Sequence, residues 1–506
     1  MRKQNFIQGT IFLIIIMAII KILGLVNRFF IARLLSPEGF SIYMLVMPTF
    51  LLLISLSQLG FPISITKLVS ENTVHKTLTN KSILFSAMKI TIINSIVLIT
   101  LLLLSARFLA NNLLHDPRAY YPLLSLTLLI PLITFSSIIK AYLNGLQIIP
   151  LPAYAQLFEQ LARIGTSILL VVLLSPHGLP IAVSGSIIAI SIGELVAILY
   201  MLIRLLNRKT IRYLLKPLPK KNNPTWDILR ISIPATGNRL VGTATYFFEP
   251  IVFVAAMVSL GIGSSYTTRL YGQISGYVIS TLTVPTFVVI AISTTLLPVI
   301  SESYAKGKTE QIATYFNQSM FLSFIVGALY LVINMIFPKE IMGLLFGTTE
   351  GSHFLTIMAP FFMLYYFEQP LQQTLYAINK GNNYLTITLF CNTLKLALIY
   401  LLVSYRSLHV YGLIIAIGVN IILIVLFSYI ALKRHIHLKL NLKTITSSVL
   451  LVLVTYLFGT YLYTQTNLHF IVGIAFTVMF YVTTLILFNI GQIRTLIMKS
   501  FLARSG

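Results

Sequence analysis

Residues 7–34 read IQGTIFLIIIMAIIKILGLVNRFFIARL. This stretch decides the fold. Its apolar run exceeds the roughly 20 residues that a helix needs to cross hydrocarbon. It also places Lys21 and Arg28 inside that run. A secretory leader has a shorter apolar core followed by a small-residue cleavage pattern. No such pattern follows here, so the segment is expected to remain as an uncleaved first span.

The same signal recurs along the chain. Apolar runs separated by charge, Pro and Gly predict spans at 7–34, 41–66, 83–107, 120–142, 154–175, 181–204, 231–257, 265–300, 314–337, 354–378, 384–404, 410–432, 445–464 and 468–490. The prediction is an all-α polytopic membrane protein with about 14 transmembrane helices. Composition agrees: of 506 residues, 57% are hydrophobic and only 9% charged. A soluble domain carries about 25% charged residues. Mean hydropathy is +0.90. The formal charge of +24 is dispersed between apolar runs. That pattern suits membrane lipids and argues against nucleic acid as a partner. The single cysteine, Cys391, excludes an intrachain disulfide and a thiolate metal cluster.

Charge asymmetry predicts the orientation. With a cytoplasmic N-terminus, twenty-four Lys and Arg residues fall on the inner side and six on the outer side. The inner set counts Lys140 and eight basic residues from Arg204 to Arg230. The positive-inside rule then puts both termini in the cytoplasm of a multi-pass cell-membrane protein. The longest polar stretch, 207–227, is basic and Pro-containing, and suits anionic headgroups. It divides the chain into six-span halves at 1–206 and 228–433, followed by two additional helices within 444–490. Asn27-Arg28 is echoed by Asn238-Arg239, and Tyr142–Gly145 by Tyr376–Gly381, at corresponding spans. Such echoes suggest a parallel repeat of the kind found in secondary transporters.

Ionisable groups inside spans are costly and mark function by default. Lys21 and Arg28 are seven apart, hence near one helix face, with Gly24 between them. They read either as cations lining a cavity for an anionic substrate or as partners of Glu194, Glu249 or Glu368. Arg239 and Arg269 are further cations of this kind. Glu159 and Arg163, four apart, can pair on one face. Glu249 precedes Pro250, and Glu368 stands two before Pro370. Proline frees backbone carbonyls, so these carboxylates read either as ion-coupling groups or as parts of a satisfied kink. Glu194 has no charged neighbour in sequence. Lys89 and Lys395 complete the intramembrane set. No Walker A, His-Glu-x-x-His or Gly-x-Ser-x-Gly pattern occurs, so no enzyme, metal site or cofactor is expected. Active transport would draw on an H+ or Na+ gradient or on the membrane potential.

The segment IKILGLVNRFFIARLLSPEGFSIYMLVMP, Ile20 to Pro48, resembles the opening of polysaccharide biosynthesis and export proteins of the stage V sporulation protein B type. LGFPISITKLVSE (Leu59 to Glu71), LLPVISESYAKGK (Leu296 to Lys308) and Tyr376–Gly381 extend the resemblance. It covers essentially the whole chain. These proteins belong to the multidrug/oligosaccharidyl-lipid/polysaccharide (MOP) exporter superfamily, with the lipid II flippases (MurJ) and MATE transporters. The resemblance implies two six-helix bundles in a V-shaped, MATE-like arrangement with alternating access. It also implies that two C-terminal helices form a lipid-side groove. Cavity arginines of the first and eighth spans, which contact pyrophosphate in lipid II flippases, correspond to Arg28 and Arg269. The second-span arginine of that set has no counterpart in residues 41–66.

The implied function is a flippase for an undecaprenyl-pyrophosphate-linked sugar, serving cell-wall, spore-cortex or polysaccharide synthesis. Its partners would be that anionic lipid-linked sugar, membrane lipids and other envelope-synthesis proteins. Lys21, Arg28, Arg269 and Arg239 would form the substrate-binding set. Glu159, Glu194, Glu249 and Glu368 would be coupling or structural carboxylates. Two alternatives remain open: a cation-coupled multidrug exporter relying on cavity carboxylates such as Glu249 and Glu368 and on aromatics, and a non-transporting scaffold for envelope synthesis.

Overall fold

The computed structural model describes residues 6–75, 80–146, 148, 150–205, 224–436, 442–465 and 469–502. Most of the predicted basic linker at 207–227 lies outside them, as do Arg2, Lys3, Lys76, Lys439 and Arg504. Among the described residues every regular element is helical. The helices are α1 (Phe6–Leu34), α2 (Ser36–Gln58), α3 (Phe61–His75), α4 (Asn80–Phe108), α5 (Tyr120–Gly145), α6 (Pro150–Leu174), α7 (Leu179–Leu205), α8 (Thr225–Ser259) and α9 (Ser264–Tyr271). They continue as α10 (Ile279–Leu282), α11 (Thr286–Ala305), α12 (Thr309–Ile336), α13 (Pro338–Phe346), α14 (Ser352–Ala377), α15 (Gly381–Val403), α16 (Val410–Lys433), α17 (Leu442–Gln465) and α18 (Phe470–Leu502).

Twelve helices among the described residues are long and apolar enough to cross a membrane. The chain is therefore an all-α polytopic membrane protein. The eighth and tenth predicted spans are outside this set of twelve, although both regions are helical. The eighth is interrupted. After α9 comes a π-helical stretch, Gly272–Val278, then the four residues of α10. A turn at Thr283–Pro285 precedes α11, because Pro285 has no amide hydrogen with which to continue the helix. The freed carbonyls are satisfied by hydroxyls: Tyr330 donates to the Thr281 carbonyl at 2.9 Å and Tyr366 to that of Leu282 at 2.6 Å. Tyr366 belongs to α14, the tenth predicted span, which also carries Glu368, Gln369, Gln372 and Gln373. These polar groups lower its hydropathy.

The second predicted span, 41–66, lies within one of these twelve, Ser36–Thr66, with a turn at Leu59–Gly60 between α2 and α3. Leu59 and Gly60 both adopt left-handed backbone, with φ of 43° and 63°. Pro62 then occupies the first turn of α3, where its missing amide hydrogen costs nothing. The cause is local: a proline at that point of an uninterrupted helix would clash with the preceding turn.

The chain forms two compact units, Met1–Gly276 with Leu396–Gly412, and Tyr277–Lys395 with Leu413–Gly506. In the first unit α6 packs against α7, α7 against α5, α1 against α6, and α2 against α8 and α9. Its apolar centre includes Phe61, Ile65, Val69, Ile83, Ile138 and Ile228. Lipid is as apolar as leucine, so helix association in a membrane depends on close packing rather than on escape from water. The α6–α7 contact is built that way. A Cβ on Gly193 would stand 2.9 Å from the Glu159 carbonyl, and one on Gly185 3.2 Å from that of Leu170.

In the second unit α14 packs against α11 and α12. Ile300, Phe316, Leu371, Leu375, Cys391 and Ile424 form its main core. The helices α17 and α18 pack on each other and on α12 through Leu451, Tyr481 and Leu485, which meet Phe321 and Ala328. The Tyr481 hydroxyl donates to the Ile325 carbonyl at 2.8 Å. Phe458 stacks on Phe480 with centroids 3.8 Å apart.

Candidate functional site

A polar cluster runs through the interior of the first unit. Lys140 on α5 stands between two carboxylates from neighbouring helices. Its Nζ lies 3.0 Å from Glu159 Oε2 on α6 and 3.4 Å from Glu194 Oε2 on α7. Arg163, one turn along α6, donates through Nη2 to the other Glu159 oxygen. Side-chain exposure is 11% for Glu159 and 6% for Glu194, against 17% for Lys140 and 21% for Arg163, so the carboxylates are buried more deeply than the cations that pair with them. Two cations and two carboxylates make it neutral as a set. Removing one partner would leave an uncompensated charge in a dry interior, which is why such a group costs far more broken than whole. The close approach at Gly193 brings α7 onto α6 beside Glu159.

The cluster extends towards α1. Gly24 of α1 faces Gln160 of α6, with a Cβ position 3.1 Å from Gln160 Nε2. Arg28 of α1 and Arg163 of α6 both act electrostatically on the buried hydroxyl of Tyr43 on α2. The same part of α2 receives α9: Gly272 packs directly on Ser41, and a Cβ on Gly276 would meet Phe40 at 2.6 Å. Arg269 lies one helical turn before Gly272 and is exposed. Arg28 and Arg269, cations of the first and eighth predicted spans, therefore both belong to the first unit.

The remaining predicted residues are spread more widely. Lys21 is exposed on α1. Arg239, exposed on α8, donates through Nη1 to Gln58 Oε1 at 2.5 Å. Glu249 is 4% exposed, and the Tyr271 hydroxyl lies beside its carboxylate. Glu368 belongs to the second unit. It accepts a 2.6 Å hydrogen bond from the Tyr384 hydroxyl and feels the charge of Lys395 on α15. Among the described residues no three His, Cys, Asp or Glu side chains gather to hold a metal ion.

The spacing of Glu159 and Arg163 shows in the sequence, and the structure brings the two together. Lys140 was passed over as an inner-side charge. Its signal was its place two residues before the predicted end of the fourth span, at Tyr142, rather than beyond it. Tyr43, Tyr271 and Tyr384 are indistinguishable in sequence from the many interfacial tyrosines.

Residues 6–304 match the family described as Polysaccharide biosynthesis protein, and residues 273–401 match the family described as MatE. The chain is 33% identical to Stage V sporulation protein B of Bacillus subtilis (strain 168) over 450 residues, 88% of this chain and 86% of that protein. The chain belongs to the polysaccharide biosynthesis protein family. It is a membrane transport protein of the MOP superfamily. It is also 22% identical to Lipid II flippase MurJ of the same organism, over 86% of this chain and 83% of that one. A solved structure of Lipid II flippase MurJ in an inward closed conformation superposes with a TM-score of 0.74 at 15% identity, covering 96% of this chain and all of that one (100%). That likeness is one of fold.

Proposed function

We propose that this family member is a flippase that carries an undecaprenyl-pyrophosphate-linked sugar precursor across the cytoplasmic membrane for cell-wall, spore-cortex or polysaccharide synthesis. The observation that carries the reading is the kinship with a lipid II flippase, and it is supported by intramembrane cations on α1 and α9, Arg28 and Arg269, two helices of the first unit. Guanidinium groups suit pyrophosphate because they donate two parallel hydrogen bonds to it. Lys21 and Arg239, both exposed, would add positive potential along the route of the headgroup. The finer architecture belongs to the same proposal. It comprises fourteen spans in two six-helix bundles, 1–206 and 228–433, with two further helices in 444–490 and both termini cytoplasmic. The isoprenoid tail would stay in lipid while the bundles alternate access to the headgroup.

The drug-exporter alternative rests on Glu249 and Glu368. Glu368 accepts from the Tyr384 hydroxyl and Glu249 lies beside that of Tyr271, while the cations Lys21 and Arg28 of the first span favour the anionic substrate. The test is transfer of labelled undecaprenyl-pyrophosphate sugar in liposomes. Wild type is expected to transfer it. Arg28→Ala/Arg269→Ala, at equal incorporation, is expected to lose at least about tenfold, since each lost charge-assisted contact is worth ~1.5–3 kcal/mol. Undiminished transfer by that variant would reject the residue roles.

A further inference from the structure

We infer that Lys140 is a tethered counter-ion filling a carboxylate pocket that, without it, would take a monovalent metal cation, so that this pocket binds no alkali ion. Two oxygens from different helices, Glu159 Oε2 and Glu194 Oε2, converge on one point, and the Lys140 ammonium occupies that point at 3.0 and 3.4 Å. Convergent carboxylates in a low-dielectric interior need positive charge. An ammonium and a hydrated alkali cation are alternative ways of supplying it. Beside the pair a further oxygen ligand is at hand: the buried Ser136 hydroxyl lies against the Glu194 carboxylate. Ser136 is one turn from Lys140 on α5. The site therefore has carboxylate and hydroxyl oxygens suited to a small hard cation, with an amino group already seated among them. Arg163 cannot substitute for Lys140, because it is engaged on the opposite oxygen of Glu159.

The consequence concerns energy supply. A lysine that completes the pocket makes charge compensation there independent of Na+, K+ or Li+. Calling the pocket a would-be coupling site rests on the transporter reading. The ion-binding claim does not, and its test measures the folded protein rather than transport.

The full chain is purified in detergent, and its Tm is followed by intrinsic fluorescence in NaCl, LiCl, KCl or choline chloride at equal ionic strength. Wild type is expected to show one Tm in all four. Lys140→Gln is expected to be destabilised in choline and to regain at least ~2 °C in one of the alkali chlorides, through binding to the folded state alone. An identical Tm for Lys140→Gln in all four salts overturns the inference. So does a wild-type response to an alkali cation that Glu194→Gln abolishes. Should Lys140→Gln fail to accumulate, the double variant Lys140→Gln/Glu194→Gln decides. Restored accumulation with no cation response supports the counter-ion role. Failure of the double variant to accumulate overturns it, because the surplus carboxylate would then not be what the lysine answers.

Discussion

The two units solve the problem of buried charge differently. In the first, two carboxylates on adjacent helices share Lys140, and Arg163 braces one of them, so four ionised groups are mutually dependent. In the second, Glu368 takes a hydroxyl from Tyr384 at 2.6 Å and the more diffuse field of Lys395. The signs also differ: the shared cation sits on α5 in the first unit, and the carboxylate sits on α14 in the second. The second arrangement can lose a partner and keep a hydrogen bond. The first loses the charge balance of the whole cluster. The first unit is thus rigidly compensated and the second adjustable.

The largest effect that tests this contrast is expected at Lys140. Lys140→Gln in choline should cost about 3–5 kcal/mol, the usual penalty for breaking a buried ion pair from one side. Lys395→Gln should cost clearly less, because Tyr384 still donates to Glu368. Thermal unfolding of the two variants side by side checks the ranking. Equal losses would erase the distinction between the units. Next in size is Tyr384→Phe, which removes a single hydrogen bond to a carboxylate and should cost about 1.5–3 kcal/mol. Combining it with Lys395→Gln should exceed the sum of the single effects, since together they strip Glu368 of both supports.

A comparable loss is expected from tightening rather than discharging the first cluster. Gly193→Ala places a methyl group 2.9 Å from the Glu159 carbonyl, against backbone that cannot swing aside. Over-packing of this kind costs about 1–3 kcal/mol. It should also widen the α6–α7 spacing that sets the reach from Lys140 to both carboxylates. An unchanged Tm would show that α7 can shift without disturbing the cluster.

The sequence reveals the helices because hydrocarbon demands long apolar runs, and it reveals Glu159–Arg163 because four residues make one helical turn. It hides what tertiary contact creates. Glu194 meets Lys140 across 54 positions of sequence. No periodicity encodes that encounter, and a lysine near a span end looks like a topological marker. The break at Leu59–Gly60 carries a local signal in Pro62, yet the apolar residues around it read as one span. The region of α14 is helical as expected, but its glutamate, glutamines and tyrosines fall below the hydropathy of a lipid-facing helix. Tyr366 and Glu368 have protein partners instead, so a scale calibrated on lipid contact undervalues the helix.

The smallest expected effect is at Arg163. Its side chain is 21% exposed, and its bond to Glu159 is the i, i+4 pair of one helix. Partial access to solvent and a flexible side chain reduce what such a pair contributes, so Arg163→Gln should cost about 1 kcal/mol or less. The cycle with Lys140→Gln carries the information. If Arg163 only braces Glu159, the two losses should add to within about 0.5 kcal/mol. If the four groups behave as one charge-balanced unit, the second substitution leaves two carboxylates with no cation among them. The double variant should then fall well below the sum, and the coupling would be measurable in choline and reduced in whichever alkali chloride rescues Lys140→Gln.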